Sequence, residues 1–189
     1  MATPSIYEPS PSSDIAICQG EILTDINQYW LNLTTISEID KKFNEYKHEY
    51  AIVLSQGCDL EQDFRSRLQD KPQLPNIIFC QVYPAVSLKS QLTGQAKDIW
   101  KRLIQNKDER YHYLEKIPPD LDFQKSGLPE LGIDFKRYFS IPTEEVYMCI
   151  KLGITRRRTI LQSPYLEHLS SRFAYFLSRV GLPTPHVSE

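Results

Sequence analysis

Between Ser163 and Gly181 the apolar residues Leu166, Leu169, Phe173, Phe176, Leu177 and Val180 recur at helical spacing. At about 100° per residue they form one stripe, the signature of an amphipathic helix that lays one side on a core. Ser163 suits the N-cap and Pro164 the first helical position, whereas Gly181 and Pro183 suit a stop. The spacing predicts a terminal helix over about 163–181, buried against a sheet.

The sheet is read from the segments before it. Tyr50–Ser55 (YAIVLS) and Asn76–Val86 (NIIFCQVYPAV) are nearly continuous apolar runs, as strands buried on both faces show, and Pro84 closes the second or places it at an edge. Asp14–Thr24, with Gly20 at a bulge, alternating Arg110–Lys116 and Gly132–Ile141 add further strands. Thr143–Leu152 suits a strand or a short helix. Trp30, Leu31 and Leu33 anchor the segment after the first strand. Ser37–Phe43 begins like a capped helix, and Gln91–Asn106 carries Ala96, Ile99, Trp100 and Leu103 on one side of another. Asp59–Pro75 is polar and reads as a surface excursion. Residues 1–13, with Pro4, Pro9 and Pro11, read as a flexible N-terminal tail. Residues 14–189 then make a single α+β domain: a small, strongly bent, mostly antiparallel sheet or barrel with a C-terminal amphipathic helix.

Composition removes several classes of function. The net charge of −2 over 189 residues leaves no global positive field for nucleic acid, although a local patch is compatible with it. Only 7 glycines are present, and no phosphate-cradling glycine motif occurs. The four cysteines, at 18, 58, 80 and 149, match no zinc spacing, so no metal and no cofactor are expected. Cys18, Cys80 and Cys149 lie in apolar runs and read as buried free thiols. The start of the chain carries no secretory signal and no 18-residue apolar run exists, which suits a cytoplasmic protein without a membrane span.

Three constellations carry chemistry. Ser55-Gln56-Gly57-Cys58-Asp59 ends the most apolar strand. Cys58 there suits a nucleophile, with His48, His112 or His168 as base from elsewhere; alternatively Asp59 caps a turn and Cys58 packs. Arg156, Arg157 and Arg158 precede a second helical stripe of Tyr165, His168, Arg172, Tyr175 and Arg179. Arginines interleaved with aromatics suit single-stranded RNA or a protein partner, and equally a solvated basic edge paired with Glu144 and Glu145. Asp59, Glu61 and Asp63 alternate as ligands of a divalent ion would, but without a glycine-containing calcium loop they read as a charged loop.

The order of these pieces resembles the MazF/PemK-type mRNA-interferase toxins, which are small SH3-like barrels. Gly20-Glu21-Ile22, Val53-Leu54-Ser55 and Arg157-Arg158-Thr159-Ile160-Leu161 are the matching stretches. Where those toxins carry an Arg-Pro-like pair before the second strand, this chain has Lys47-His48-Glu49-Tyr50, and it carries long inserts at 59–75 and 87–109. The resemblance implies a toxin-like barrel acting as a non-catalytic interaction or regulatory module in bacterial stress response or defence. Its partner would be a protein, with single-stranded RNA and self-association as further options. The alternative is an endoribonuclease with His48, Asp59 and one of Arg156–Arg158 at the cleaved phosphate.

Overall fold

The computed structural model describes residues 5–92 and 96–179. Seven strands are present: β1 (Tyr7–Pro9), β2 (Glu21–Leu31), β3 (Phe43–Val53), β4 (Asn76–Pro84), β5 (Tyr111–Leu114), β6 (Leu131–Pro142) and β7 (Arg156–Leu161). Five helices join them: α1 (Gly57–Arg67), α2 (Ala85–Gln91), α3 (Ala96–Ile104), α4 (Thr143–Lys151) and α5 (Tyr165–Ser178). The strands make one antiparallel sheet in the order β1-β7-β2-β3-β4-β6-β5.

This is the mixed α+β, mostly antiparallel architecture that the strand pattern implies. The sheet is not closed into a barrel. It does curl until Tyr7 Oη, on one edge strand, donates to Glu115 O just beyond the other at 3.1 Å. Inside the curl lie Ile22, Ile52, Val82, Ile133, Phe135 and Leu161, covered by Leu169 and Phe176 of α5. On the opposite face Leu23, Ala51, Val53, Ile77 and Phe79 lie under Leu60 of α1 and Val146 and Ile150 of α4. Gly20 precedes β2 with φ +74°, a conformation that costs a residue without a side chain little. A Cβ there would stand 2.6 Å from Leu166 Cδ1, so its absence also lets α5 approach the turn.

Several segments depart from the sequence reading. Residues 59–75 are not merely a polar excursion, because α1 occupies Gly57–Arg67 and buries Leu60 and Asp63. The Asp63 carboxylate accepts from the backbone of Gln73 and Leu74 and from Arg67, so it is a structural anchor and not an ion ligand. No helix forms at Ser37–Phe43; a 3₁₀ turn at Leu33–Thr35 connects β2 to β3 instead. Trp30, expected as an anchor, is 46% exposed. Of the helix expected over 91–106, α3 forms at Ala96–Ile104, while α2 at Ala85–Gln91 was not expected and follows directly on β4; Thr143–Leu152 resolves as helix α4. Within the expected tail, Tyr7–Pro9 pairs with Thr159–Leu161 and Tyr7 is buried.

The terminal helix is confirmed over Tyr165–Ser178; the expected stop at Gly181 and the stripe residue Val180 lie outside the described residues. Leu169 and Phe176 are buried and Phe173 is half-buried, whereas Leu177 faces solvent. No described helix is long and apolar enough to cross a membrane.

Candidate nucleic-acid interface

The hairpin of β2 and β3 outruns its neighbours. β2 pairs with β7 only over Glu21–Thr24, and β3 pairs with β4 only over Tyr50–Val53. Beyond Asp25, which takes φ +60° and binds Lys47 Nζ at 2.7 Å, residues 26–31 and 43–48 continue as a two-stranded ribbon. One side of the ribbon turns toward the part of β4 and β6 that α1 and α4 leave bare.

Aromatic rings line that open face in sequence. The Trp30 and Tyr46 centroids lie 6.5 Å apart, and Tyr46 meets His48 edge-on at 4.7 Å. His48 stacks on Phe139 at 3.8 Å and 4°, and Phe139 continues to the core residue Phe79 at 5.6 Å. Polar groups stand between the rings. Gln81 Nε2 donates to Tyr46 Oη at 2.8 Å, and Gln28 Oε1 lies 3.0 Å from His48 Nε2. The amide oxygen accepts this hydrogen bond in the tautomer that carries the imidazole proton on Nε2. His48 is 3% exposed, and burial pushes its pKa down to about 4.

The rings border a groove of about 570 Å³ that Lys136 and Arg137 also line. Both cations are exposed, and neither has a carboxylate partner among the described residues. Through Tyr83 and Arg137 the groove meets a second cleft of about 650 Å³ between α2, α3 and β5. Arg102, Lys107, Arg110, Arg137 and Arg179 line this cleft against Asp108, Glu109 and Asp134, with Leu88, Ile99 and Tyr111 as its apolar wall. Three of the arginines are paired: Arg102 to Asp108 at 3.1 Å, Arg110 to Asp134 at 2.6 Å and Arg179 to Glu109 at 3.3 Å. The joined surface is therefore locally basic although the chain is slightly acidic. No family model matches the chain, and neither does any curated protein or solved structure at a significant level. The surface is accordingly interpreted from its own chemistry.

The expected site residues scatter. Cys58 is exposed in the first turn of α1 beside Asp59, and Gln56 and Asp59 oxygens lie 3.7 Å from its sulfur. His48 lies five residues before the end of β3, about 17 Å along the strand from the end that leads to α1. No hydrogen bond or cavity joins His48 to Cys58 or Asp59 among the described residues. The basic run is not a surface patch. Arg156 is exposed, but Arg157 is 3% exposed and grips Glu21 at 2.6 and 2.7 Å while donating to the carbonyls of Ser12, Ile15 and Ala16. Arg158 is bidentate to buried Asp122 at 2.8 and 2.7 Å. Burial acts to raise the Asp122 pKa, but Arg158 and the backbone N–H of Gln124 outweigh it and hold the carboxyl at about 2.

The stripe on α5 divides likewise. Arg172 turns inward to Asn106, His112 and the carbonyls of Asp108 and Tyr111. Arg179 lies over Phe176 at 4.1 Å and lines the arginine cleft. Tyr165 and Tyr175 remain open to solvent. His112 and His168 share a small cavity of about 200 Å³ with Tyr165, their rings 5.5 Å apart. Burial, then the Arg172 charge, depresses both imidazoles, His112 to about 3.

Sequence reasoning missed Trp30, Tyr46, Gln28, Gln81, Tyr83, Lys136 and Arg137. A signal existed in the period-two spacing of Gln28 and Trp30 and of Tyr46 and His48, which marks one face of a strand.

Proposed function

We propose that the protein is a non-catalytic binding module that takes single-stranded RNA along the open sheet face. The observation that carries this reading is the exposed ring pair Trp30–Tyr46, backed by buried His48, beside Lys136 and Arg137, which have no carboxylate partner among the described residues. Exposed rings accept unstacked bases whatever their identity, and cations track the phosphates. Tyr46 Oη and the Gln28 and Gln81 amides add hydrogen-bonding capacity at base edges. The adjoining arginine cleft extends the basic track. Binding without cleavage is favoured because the one imidazole in the groove is buried, stacked and held neutral by its surroundings.

The likeness to MazF/PemK-type toxins belongs to this proposal. Its matching stretches lie at the start of β2, the end of β3 and along β7, which are neighbours in the sheet. On this reading the fold is an SH3-like barrel left unjoined between β1 and β5, serving an interaction or regulatory role.

Fluorescence anisotropy with a labelled single-stranded RNA at two salt concentrations tests the reading. Binding is expected to weaken as salt rises, with log K falling by about 0.7 per neutralised phosphate for each decade of salt. Trp30→Ala is expected to raise Kd by about 5- to 150-fold, the equivalent of one lost stacking contact of ~1–3 kcal/mol. No binding at low salt overturns the proposal, and shortened RNA products would return the endoribonuclease reading.

A further inference from the structure

The ribbon that borders the groove has an open edge on its β2 side. Thr155 Oγ1 donates to Asp25 O, and beyond that point no strand among the described residues pairs with this edge. Asn32 N donates to Lys42 O across the hairpin, so the even-numbered residues of β2 direct their backbone groups to β3. Asn27, Tyr29 and Leu31 therefore direct theirs outward.

Proteins blunt open edges with lysine, proline, bulges or covering loops, and a lone two-stranded ribbon is marginal in water. Between Asn27 and Leu31 (NQYWL) the edge carries no lysine or proline, and no bulge interrupts its pairing with β3. The arm instead displays Tyr29 at 51%, Leu33 at 74%, Ile39 at 100% and Phe43 at 67% exposure.

We infer that the β2 edge pairs antiparallel with the same edge of a second copy of this chain, about a twofold axis at Tyr29. That register sets Tyr29 against Tyr29 and Asn27 against Leu31 twice. These are three hydrogen-bonded pairs, or about six backbone hydrogen bonds at two per pair. The occupant is a second copy because the edge is uncharged and self-complementary, so no like charges oppose across the axis. The outer edge of β3 differs, since Glu45 and Lys47 stand on it. The twofold lies perpendicular to the sheet, so Trp30 of each copy stands opposite the partner's Gln28. Both grooves then share one face. The pairing itself does not depend on RNA binding.

Sedimentation velocity on the full chain across the micromolar range tests the inference. The expected result is a concentration-dependent shift to twice the monomer mass. Tyr29→Lys keeps a partner within its own chain, because the tyrosine hydroxyl it replaces donates to Glu45 at 2.9 Å. It also sets two ammonium groups face to face on the axis, and is expected to stay monomeric throughout the range. Leu31→Pro removes an outward N–H without touching the β2–β3 ladder, and is expected to raise the dimer dissociation constant at least tenfold. Circular dichroism and a thermal melt confirm that each variant is folded. A wild-type chain that remains monomeric overturns the inference, as does a folded Tyr29→Lys variant that dimerises like the wild type.

Discussion

One face of the sheet has two halves built on the same strands. Under α1 and α4, the side chains of Leu23, Ala51, Val53, Ile77 and Phe79 are 0% exposed. A few residues along, the same strands present Gln28, Trp30, Tyr46 and Gln81, joined by Lys136 and Arg137. The backbone ladder of β2 with β3 keeps one register through both halves, interrupted at Asp25. The chemical difference follows from the presence or absence of a covering helix. A covered face must be apolar and complementary, whereas an open one can keep polar and aromatic groups for a ligand. His48 stands at the border, buried like the first half and hydrogen-bonded like the second.

Substitutions on the two halves should separate stability from binding. Phe79→Ala removes a fully buried ring and is expected to cost about 3–5 kcal/mol in urea unfolding. Trp30→Ala on the open half should cost under about 1 kcal/mol. Comparable costs at the two sites would break the comparison. Arginines offer a parallel contrast. Arg157→Met leaves Glu21 buried without its cation, for an expected cost of about 3–5 kcal/mol. Arg137→Ala should leave the urea midpoint unchanged and lower the salt slope of RNA binding by about 0.7.

The border histidine gives a smaller effect with a defined sign. Its folded-state pKa of about 4 lies below the ordinary 6.5, so the unfolded chain binds the proton more readily. The stability it contributes is full above about pH 6.5 and is lost as the pH falls toward 4. His48→Gln should flatten this part of the stability–pH profile, measured as urea midpoints at several pH values. An unchanged profile would show that the ring is solvated like the open half. The smallest effect belongs to the exposed pair of Arg65 and Glu61 on α1, at 2.7 Å. Arg65→Ala is expected to change stability by less than about 0.5 kcal/mol, vanishing in high salt.

The core was more legible in the sequence than the candidate site. The apolar runs at 50–55 and 76–86 mark the inner half of β3 and the whole of β4, because strands buried on both faces admit little else. The outer half of β3, Phe43 to His48, mixes charged and aromatic residues and has no run to announce it. It became a strand because β2 lies opposite it, a condition set by the hairpin and not by the residues themselves. The arginine run misled for a related reason. Three adjacent guanidinium groups suggest a surface, yet the partners of Arg157 and Arg158 are separated from them by 136 and 36 positions. Cys58 and Asp59 were noticed for the strand they follow, and they lie in the first turn of α1.

By itself, the sequence determined the features that depend on neighbouring residues: the 3.6-residue stripe of α5, the apolar strand interiors and the α+β class. Tertiary structure alone decided which arginines are buried, that Tyr7–Pro9 joins the sheet, and that Trp30, Tyr46 and His48 meet beside Lys136 and Arg137. Periodicity is a short-range property that the chain carries even when unfolded. Burial, ion pairing and an open sheet face arise only when strands distant in sequence come into register and a helix covers one part of them but not the next.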